Sequence, residues 1–200
     1  MRSWGSPRRQ RRVIVQRVRT RSAESGFSLL EVVVATSLIV VGLAALSGSI
    51  VSGSKLSRSK RDSGLAQQAA RQFLEELQGE TFGEIFARYN SSPDDDPGGA
   101  GTAPGPGFAV SGLTPQIGDA DGLVGRIEFP TVRAGLIDEL REDVADAALG
   151  MPRDLNGDGL APDALDHAAD YVLLPTRVVL EWRGGTGNRS LTIETLLTPR

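Results

Sequence analysis

The most constraining feature of the sequence is a long apolar segment near its N-terminus. The segment runs from Phe27 to Val51, 25 residues, and Glu31 is its only charged side chain. An α-helix of this length extends about 37 Å at 1.5 Å per residue, which exceeds the roughly 30 Å thickness of the hydrocarbon core of a bilayer. The sequence therefore predicts a transmembrane helix over residues 27–51.

The net charge of the chain is positive before this segment and negative from its start onward. Residues 1–26 contain eight arginines and one glutamate, a net charge of +7, whereas the remainder contains 14 basic and 24 acidic residues, a net charge of −10. A basic leader beside a membrane span stays cytoplasmic, so the chain beyond Val51 is expected to face the periplasm or the exterior. Arginine clusters also bind nucleic acid, but this position favours a role in topology, and we expect no nucleic-acid partner.

The carboxylate inside the apolar segment indicates a function. An acid at the bilayer centre costs about 2.5–3.5 kcal/mol on insertion scales, so it needs a partner. Glu31 lies near one end of the span, which lowers this cost. We expect its partner to be the α-amino group that cutting after Gly26 would create on Phe27 of a neighbouring copy. Such a pair would fix the axial register between packed helices.

The stretch GFSLLEVVVA and its basic leader resemble the prepilin cleavage and N-methylation motif of type IV pilins and type II secretion pseudopilins. That motif has a glycine before the cut, a phenylalanine or methionine after it and a glutamate at the fifth mature position, which Gly26, Phe27 and Glu31 match. The resemblance implies that a prepilin peptidase of the inner membrane cuts after Gly26 and methylates the new amine of Phe27. The chain would be its substrate and not an enzyme.

The resemblance also implies a structural role and a set of partners. The subunit would assemble as a minor component of a type IV pilus or a type II secretion pseudopilus, together with other pilin or pseudopilin subunits and an inner-membrane assembly platform. Its N-terminus would be cytoplasmic, with a single pass through the inner membrane and a periplasmic or extracellular head.

Three other interpretations fit the N-terminus less well. A secretory signal peptide has a shorter apolar region, followed by a small-residue cleavage site. A plain single-pass anchor would leave Glu31 merely reaching for the membrane interface. The pair Arg11-Arg12 resembles a twin-arginine signal, but the apolar segment begins well after it.

Beyond the span, residues 52–89 have the pattern of an amphipathic helix. Apolar residues recur at three- and four-residue steps, with charged residues between them. The stretch AQQAARQFLEELQGETF resembles the outer half of the pilin helix in PilV-type minor pilins and I-type minor pseudopilins, where the apolar face packs on a small sheet. The apolar positions are Leu65, Ala66, Ala69, Ala70, Phe73, Leu74 and Leu77, extended by Phe82, Ile85, Phe86 and Tyr89.

The rest of the chain predicts a loop and a small β head. Residues 90–107 contain four prolines and five glycines, which predicts a loop, and residues 108–200 form the head. The predicted fold class is α+β, with the long N-terminal helix packed on a small antiparallel β-sheet. The expected elements are strands at 108–113 and 123–129, a helix at 134–149, and a terminal hairpin of strands 176–182 and 189–197 joined by GGTGN.

The head contains a calcium-like motif at residues 154–166. Side-chain oxygens at the first, third and fifth positions of a tight turn, with glycine at the sixth, form the first half of an EF-hand loop. The twelfth position is Leu165, so Asp163 or Asp166 would have to replace the usual bidentate ligand in a rearranged loop. An Asx-rich turn without metal has the same residues, and both interpretations stay open. The candidate Ca²⁺ ligands are Asp154, Asn156, Asp158, the Leu160 carbonyl, Asp163 and Asp166.

The residue content does not indicate an enzyme. The chain has one histidine, His167, and no cysteine, and it lacks phosphate-loop and nucleophile motifs. We expect His167 to be exposed near the calcium-like loop, and the acids at 94–96 to be solvated. Calcium is the only cofactor indicated. The alternative function is a single-pass, membrane-anchored acidic calcium-binding module that does not polymerise.

Overall fold

In the computed structural model of the protein, the chain forms two compact units. The first ends at Ser47, and the second begins at Gly48. The basic leader predicted at residues 1–26 lies outside the described residues except for Gly26. The described residues are 26–200 apart from Ala161, Thr186 and Arg200.

The long helix α1 spans Leu29–Gly79 and begins inside the N-terminal motif. Its first backbone hydrogen bond runs from the Val32 N–H to the Ser28 carbonyl, at 3.1 Å. The side chains from Phe27 to Leu56 are all exposed. Among the described residues, α1 is the one helix long and apolar enough to cross a membrane. Its length and composition are thus consistent with membrane anchoring.

Hydroxyl groups in the apolar part of α1 bond to the backbone of the helix itself. Thr36 donates to the Val32 carbonyl at 2.9 Å, and Ser37 donates to the Val33 carbonyl at 2.8 Å. A polar side chain in hydrocarbon needs a partner within the protein because water is absent there. These hydroxyls are therefore compatible with a lipid environment.

In the second unit, α1 is amphipathic as predicted. Its buried residues recur at three- and four-residue steps, whereas Arg71 and Glu75 are exposed. After α1 ends, a second helix, α2, spans Phe82–Tyr89. The structure thus divides the segment predicted as amphipathic helix into two helices. The buried residues of α1 are Ala66, Ala70, Phe73 and Leu77.

The described part of the second unit contains six strands in two antiparallel sheets. In chain order the strands are β1 (Gly107–Phe108), β2 (Gly125–Glu128), β3 (Thr131–Ala134), β4 (Ile137–Leu140), β5 (Leu174–Gly184) and β6 (Gly187–Leu197). Four of them form one sheet in the order β1-β2-β5-β6, and β3 and β4 form a separate hairpin. The strands predicted at 108–113 and 123–129 therefore exist and pair, but both are shorter than predicted.

The predicted C-terminal hairpin is confirmed. Strands β5 and β6 pair over their whole length, with Val178 opposite Ile193 and Leu180 opposite Leu191. Val178 and Leu180 are fully buried, and Trp182 is 3% exposed. One face of an antiparallel sheet commonly lies against the core in this way. Gly184 and Gly187, which face each other at the ends of the two strands, both lie in the predicted GGTGN.

Aromatic rings connect the helices to the sheet in the core. The Phe73 ring of α1 stacks on Phe108 of β1, with ring centroids 4.1 Å apart and planes 12° apart. The Phe86 ring of α2 meets Phe129 edge-on at 5.5 Å. Both helices thus share one core with the four-stranded sheet. The α+β layout, an N-terminal helix packed against a small antiparallel sheet, is confirmed.

The prediction of a helix at 134–149 is wrong, because the first half of this segment belongs to the β3–β4 hairpin. A two-residue turn joins the strands, and Gly135 occupies φ +67° in it. Glycine adopts this left-handed conformation at little cost, and a hairpin turn with glycine first is a common connection. Leu136 in the turn is 74% exposed, whereas Leu140 in β4 is fully buried. The helical spacing of these residues was therefore misleading.

On the outer face of the sheet, Arg177 of β5 contacts three carboxylates. The closest is Asp146, whose Oδ1 lies 2.9 Å from a guanidinium nitrogen, while Glu128 and Glu194 each lie at 3.4 Å. The hydrogen bond from Arg177 lowers the pKa of the Asp146 carboxyl, although burial opposes the shift. The network ties the segment after β4 to the sheet.

The substitution Asp146→Asn is expected to reduce the loss of stability on acidification. Because the folded-state pKa of Asp146 is depressed, its contribution is present above its unfolded value near 4 and disappears as the pH falls through the folded pKa. At neutral pH the variant should be less stable by up to about 1 kcal/mol. Urea unfolding at neutral and acidic pH measures this difference, which should shrink at acidic pH. A difference independent of pH would contradict the ion pair.

Candidate functional site

The prepilin-like motif lies at the N-terminal end of the described chain. Gly26 is exposed, and Phe27 is 80% exposed and precedes α1. Glu31 is exposed in the first turn of the helix. The bond between Gly26 and Phe27 is therefore accessible and non-helical, and a cut there would leave the helix intact.

Two of the three acids at 94–96 accept hydrogen bonds within their own loop. The Asn90 side-chain amide donates to Asp95 at 2.7 Å, and the Ala103 N–H donates to Asp96 at 3.0 Å. Asn90 is itself buried. Carboxylates of this kind close turns by accepting backbone and amide hydrogens. Asp95 and Asp96 thus organise the loop that precedes β1.

The calcium-like loop uses its carboxylates in the same way. Asp154 accepts hydrogen bonds from the Gly157 N–H at 2.6 Å and the Gly159 N–H at 2.9 Å. Asp158 accepts from the Leu160 N–H at 2.8 Å. These are the contacts of an Asx-rich turn.

Another predicted ligand points away from this turn. Asp166 accepts hydrogen bonds from the Leu140 N–H at 3.0 Å and the Ala168 N–H at 3.1 Å, so it connects the loop to the end of β4. Of the predicted carboxylate ligands, only Asp163 belongs to a group of metal-ligating side chains among the described residues.

That group consists of Glu142, Asp163 and His167, and we call it the His167 cluster. One ligand atom from each residue lies within 4.8 Å of the other two. The His167 Nε2 atom is 3.1 Å from an Asp163 oxygen and 3.8 Å from a Glu142 oxygen. His167 is 4% exposed and Glu142 is 3% exposed, whereas 45% of the Asp163 side chain is exposed. The cluster is therefore buried on one side and open to solvent on the other.

Backbone contacts place the cluster. The Leu155 N–H donates to Glu142 Oε1 at 2.6 Å and holds that carboxylate beside the 154–166 loop. The His167 N–H donates to the Leu140 carbonyl at 2.8 Å, which fixes the histidine next to the end of β4. Two segments separated in sequence thus meet side by side.

Carboxylates lie against both nitrogens of the His167 ring, because Nδ1 is 3.1 Å from Asp170 Oδ1. Burial acts to lower the pKa of His167, but the hydrogen bonds with Asp163 and Asp170 and the charge of Glu142 outweigh burial and raise it. The prediction that His167 is exposed is wrong. Acids four residues before and three residues after the histidine were a sequence signal for this environment.

Comparison with protein-family models gave no match, and comparisons with curated proteins and with solved structures gave no significant match. The functional assignment of this chain therefore rests on its own residues and their arrangement.

Proposed function

We propose that the chain is a prepilin-like structural subunit, cut after Gly26 and N-methylated at Phe27 by a prepilin peptidase. It assembles as a minor component of a type IV pilus or a type II secretion pseudopilus. The observation that carries the proposal is the order of four features: a basic leader, a glycine–phenylalanine step, an acid at the fifth mature position and an exposed apolar helix.

The position of the cut relative to α1 supports this function. Cleavage after Gly26 places a new positive charge on Phe27, just before the helix begins at Leu29. The Glu31 carboxylate lies in the first turn and is exposed, so it can accept a partner from outside the chain. An amine of one copy and a carboxylate of the next form a charge pair that is stronger in lipid than in water.

The surface of the apolar helix supports contact with other helices. A side chain added at Gly42 or Gly48 would meet no atom of the chain within 4 Å. Small residues let helices approach closely in lipid, where packing drives association. The bilayer covers this surface before assembly, and neighbouring subunits cover part of it afterwards. The basic leader keeps the N-terminus cytoplasmic and places the head outside.

The mass of the N-terminal peptide, recovered from membranes of the native host, tests this proposal. We expect a peptide that starts at Phe27 and carries one added methyl group. The substitution Gly26→Val should retain the leader, because a branched side chain blocks the position before the cut. Gly48→Val, a glycine change within the helix, is the control and should be processed normally. An intact leader in the unmodified chain, or a cut after the apolar segment, would defeat the proposal.

One observation favours the second candidate in a changed form, a membrane-anchored acidic module that does not polymerise and that binds a cation where the sequence predicted calcium. The His167 cluster joins a histidine and two carboxylates in a head with excess negative charge. Such a module needs the apolar helix as an anchor but does not need Glu31. Substitution of that residue therefore separates the two functions.

A further inference from the structure

We propose that Glu142, Asp163 and His167 form a binding site for a divalent transition metal ion of the zinc type, and not for calcium. The inference does not depend on the filament proposal, because it concerns the head alone. It also differs from the calcium-like loop, with which it shares only Asp163.

The ligand chemistry selects the ion. Imidazole nitrogen suits zinc, copper, iron and nickel, whereas calcium takes six to eight oxygen ligands. The His167 cluster offers one nitrogen and two carboxylates. A softer ion with few ligands therefore fits this part of the head better than calcium.

The spacing of the ligand atoms fits a small tetrahedral ion. Metal bonds of about 2.0–2.2 Å at tetrahedral angles separate the ligand atoms by about 3.3–3.6 Å. From His167 Nε2, the distances to Asp163 and Glu142 are 3.1 Å and 3.8 Å, which lie on either side of this range. Zinc binding would therefore move the Asp163 oxygen slightly away from Nε2 and the Glu142 oxygen slightly toward it.

The surroundings of the ligands are those of a metal site. A histidine that binds metal usually donates its other ring N–H to a carboxylate, which fixes the tautomer and the orientation of the ring. Asp170 occupies that position at 3.1 Å from Nδ1, so Nε2 faces the two ligand carboxylates. The Leu155 N–H holds Glu142 in place.

The exposed side of the cluster supplies an entrance and an open position. Since Asp163 is half-exposed, an ion can reach the buried His167 and Glu142 from solvent. Three protein ligands leave a fourth tetrahedral position for water. The bound ion would tie the segment after β4 to residues 163–167, within the long connection that leads to β5.

Calorimetric titration of the full chain tests the proposal. The protein is purified in detergent without a histidine tag, stripped with a chelator, and titrated with zinc chloride or calcium chloride. We expect one zinc ion per chain, bound at least 100-fold more tightly than calcium. Asp163→Asn should weaken zinc binding tenfold or more, and Asp170→Asn should weaken it 10–100-fold through the ring orientation. Asp158→Asn, in the calcium-like loop, is the matched control and should bind zinc like the unmodified chain.

Nuclear magnetic resonance provides a second readout that needs no substitution. The chain has one histidine, so ¹⁵N-labelled histidine gives a single pair of ring signals. Zinc should shift the Nε2 signal in particular. Absence of zinc binding, calcium binding as tight as that of zinc, an unchanged Nε2 signal, or zinc binding unaffected by Asp163→Asn would each overturn the proposal.

Discussion

Replacing Glu31 with leucine is expected to remove the chain from assembled filaments while leaving it in the membrane. In the proposed filament, removal of the carboxylate would leave the amine on Phe27 of a neighbouring copy without a charged partner, and its burial in lipid would be unfavourable. The amount of chain in the sheared or cross-linked filament fraction should fall tenfold or more. Immunoblots of filament and membrane fractions from the native host measure both quantities. Glu75→Leu is the matched control, because Glu75 is exposed on the part of α1 beyond the apolar segment.

The same experiment decides between the two candidate functions. An anchor that does not polymerise loses nothing when an acid leaves the apolar segment, and its insertion improves by up to about 2.5–3.5 kcal/mol. Equal recovery of Glu31→Leu and unmodified chain in the filament fraction would therefore contradict the register pair. Loss of the variant from the membrane fraction would point instead to a defect in insertion or stability.

Replacing Phe86 with alanine is expected to cause a large loss of stability in the head. Phe86 is fully buried and packs against Phe129, and its backbone N–H donates to the Tyr171 hydroxyl at 3.3 Å. A deletion of this size in a core costs about 3–5 kcal/mol, compared with a total stability of about 5–15 kcal/mol for a typical domain. The variant should therefore unfold at a much lower urea concentration.

Tryptophan fluorescence during urea unfolding measures this effect. Trp182 is 3% exposed in the core, so its emission changes when the head unfolds. Leu136→Ala is the control, because Leu136 is 74% exposed, and it should alter the free energy of unfolding by less than about 0.5 kcal/mol. A loss below about 1 kcal/mol for Phe86→Ala would contradict the central position of this ring in the core.

Local patterns predicted the elements whose buried faces follow a regular spacing of apolar residues. The three- and four-residue spacing that includes Phe73 and Leu77 identified the buried face of α1. The strand patterns at 176–182 and 189–197 predicted the terminal hairpin, in which Val178 lies opposite Ile193. In both cases the backbone geometry fixes the spacing of side chains that share a face. The residue types along the sequence are therefore sufficient to predict which face is buried.

Other features depend on contacts that local patterns do not contain. The segment from 134 to 149 has apolar residues at helical spacing, but Gly135 supplies a hairpin turn that outweighs them. Glu142 lies in that segment and meets His167 through contacts between distant segments, such as the bond from the His167 N–H to the Leu140 carbonyl. The sequence therefore suggested Asp163 as a calcium ligand but did not predict that it lies beside Glu142 and His167.

The position of β5 in the middle of the sheet also has a consequence for how the head is synthesised. Strand β5 pairs with β2 and β6 and covers the core face, yet it follows Leu77 of α1 by about a hundred residues. At about 5–20 residues per second, a ribosome needs several seconds to make that connection. A helix turn forms in well under a microsecond once its residues are available. The residues of the apolar face of α1 are therefore synthesised several seconds before β5. The head folds only after translation has passed β5.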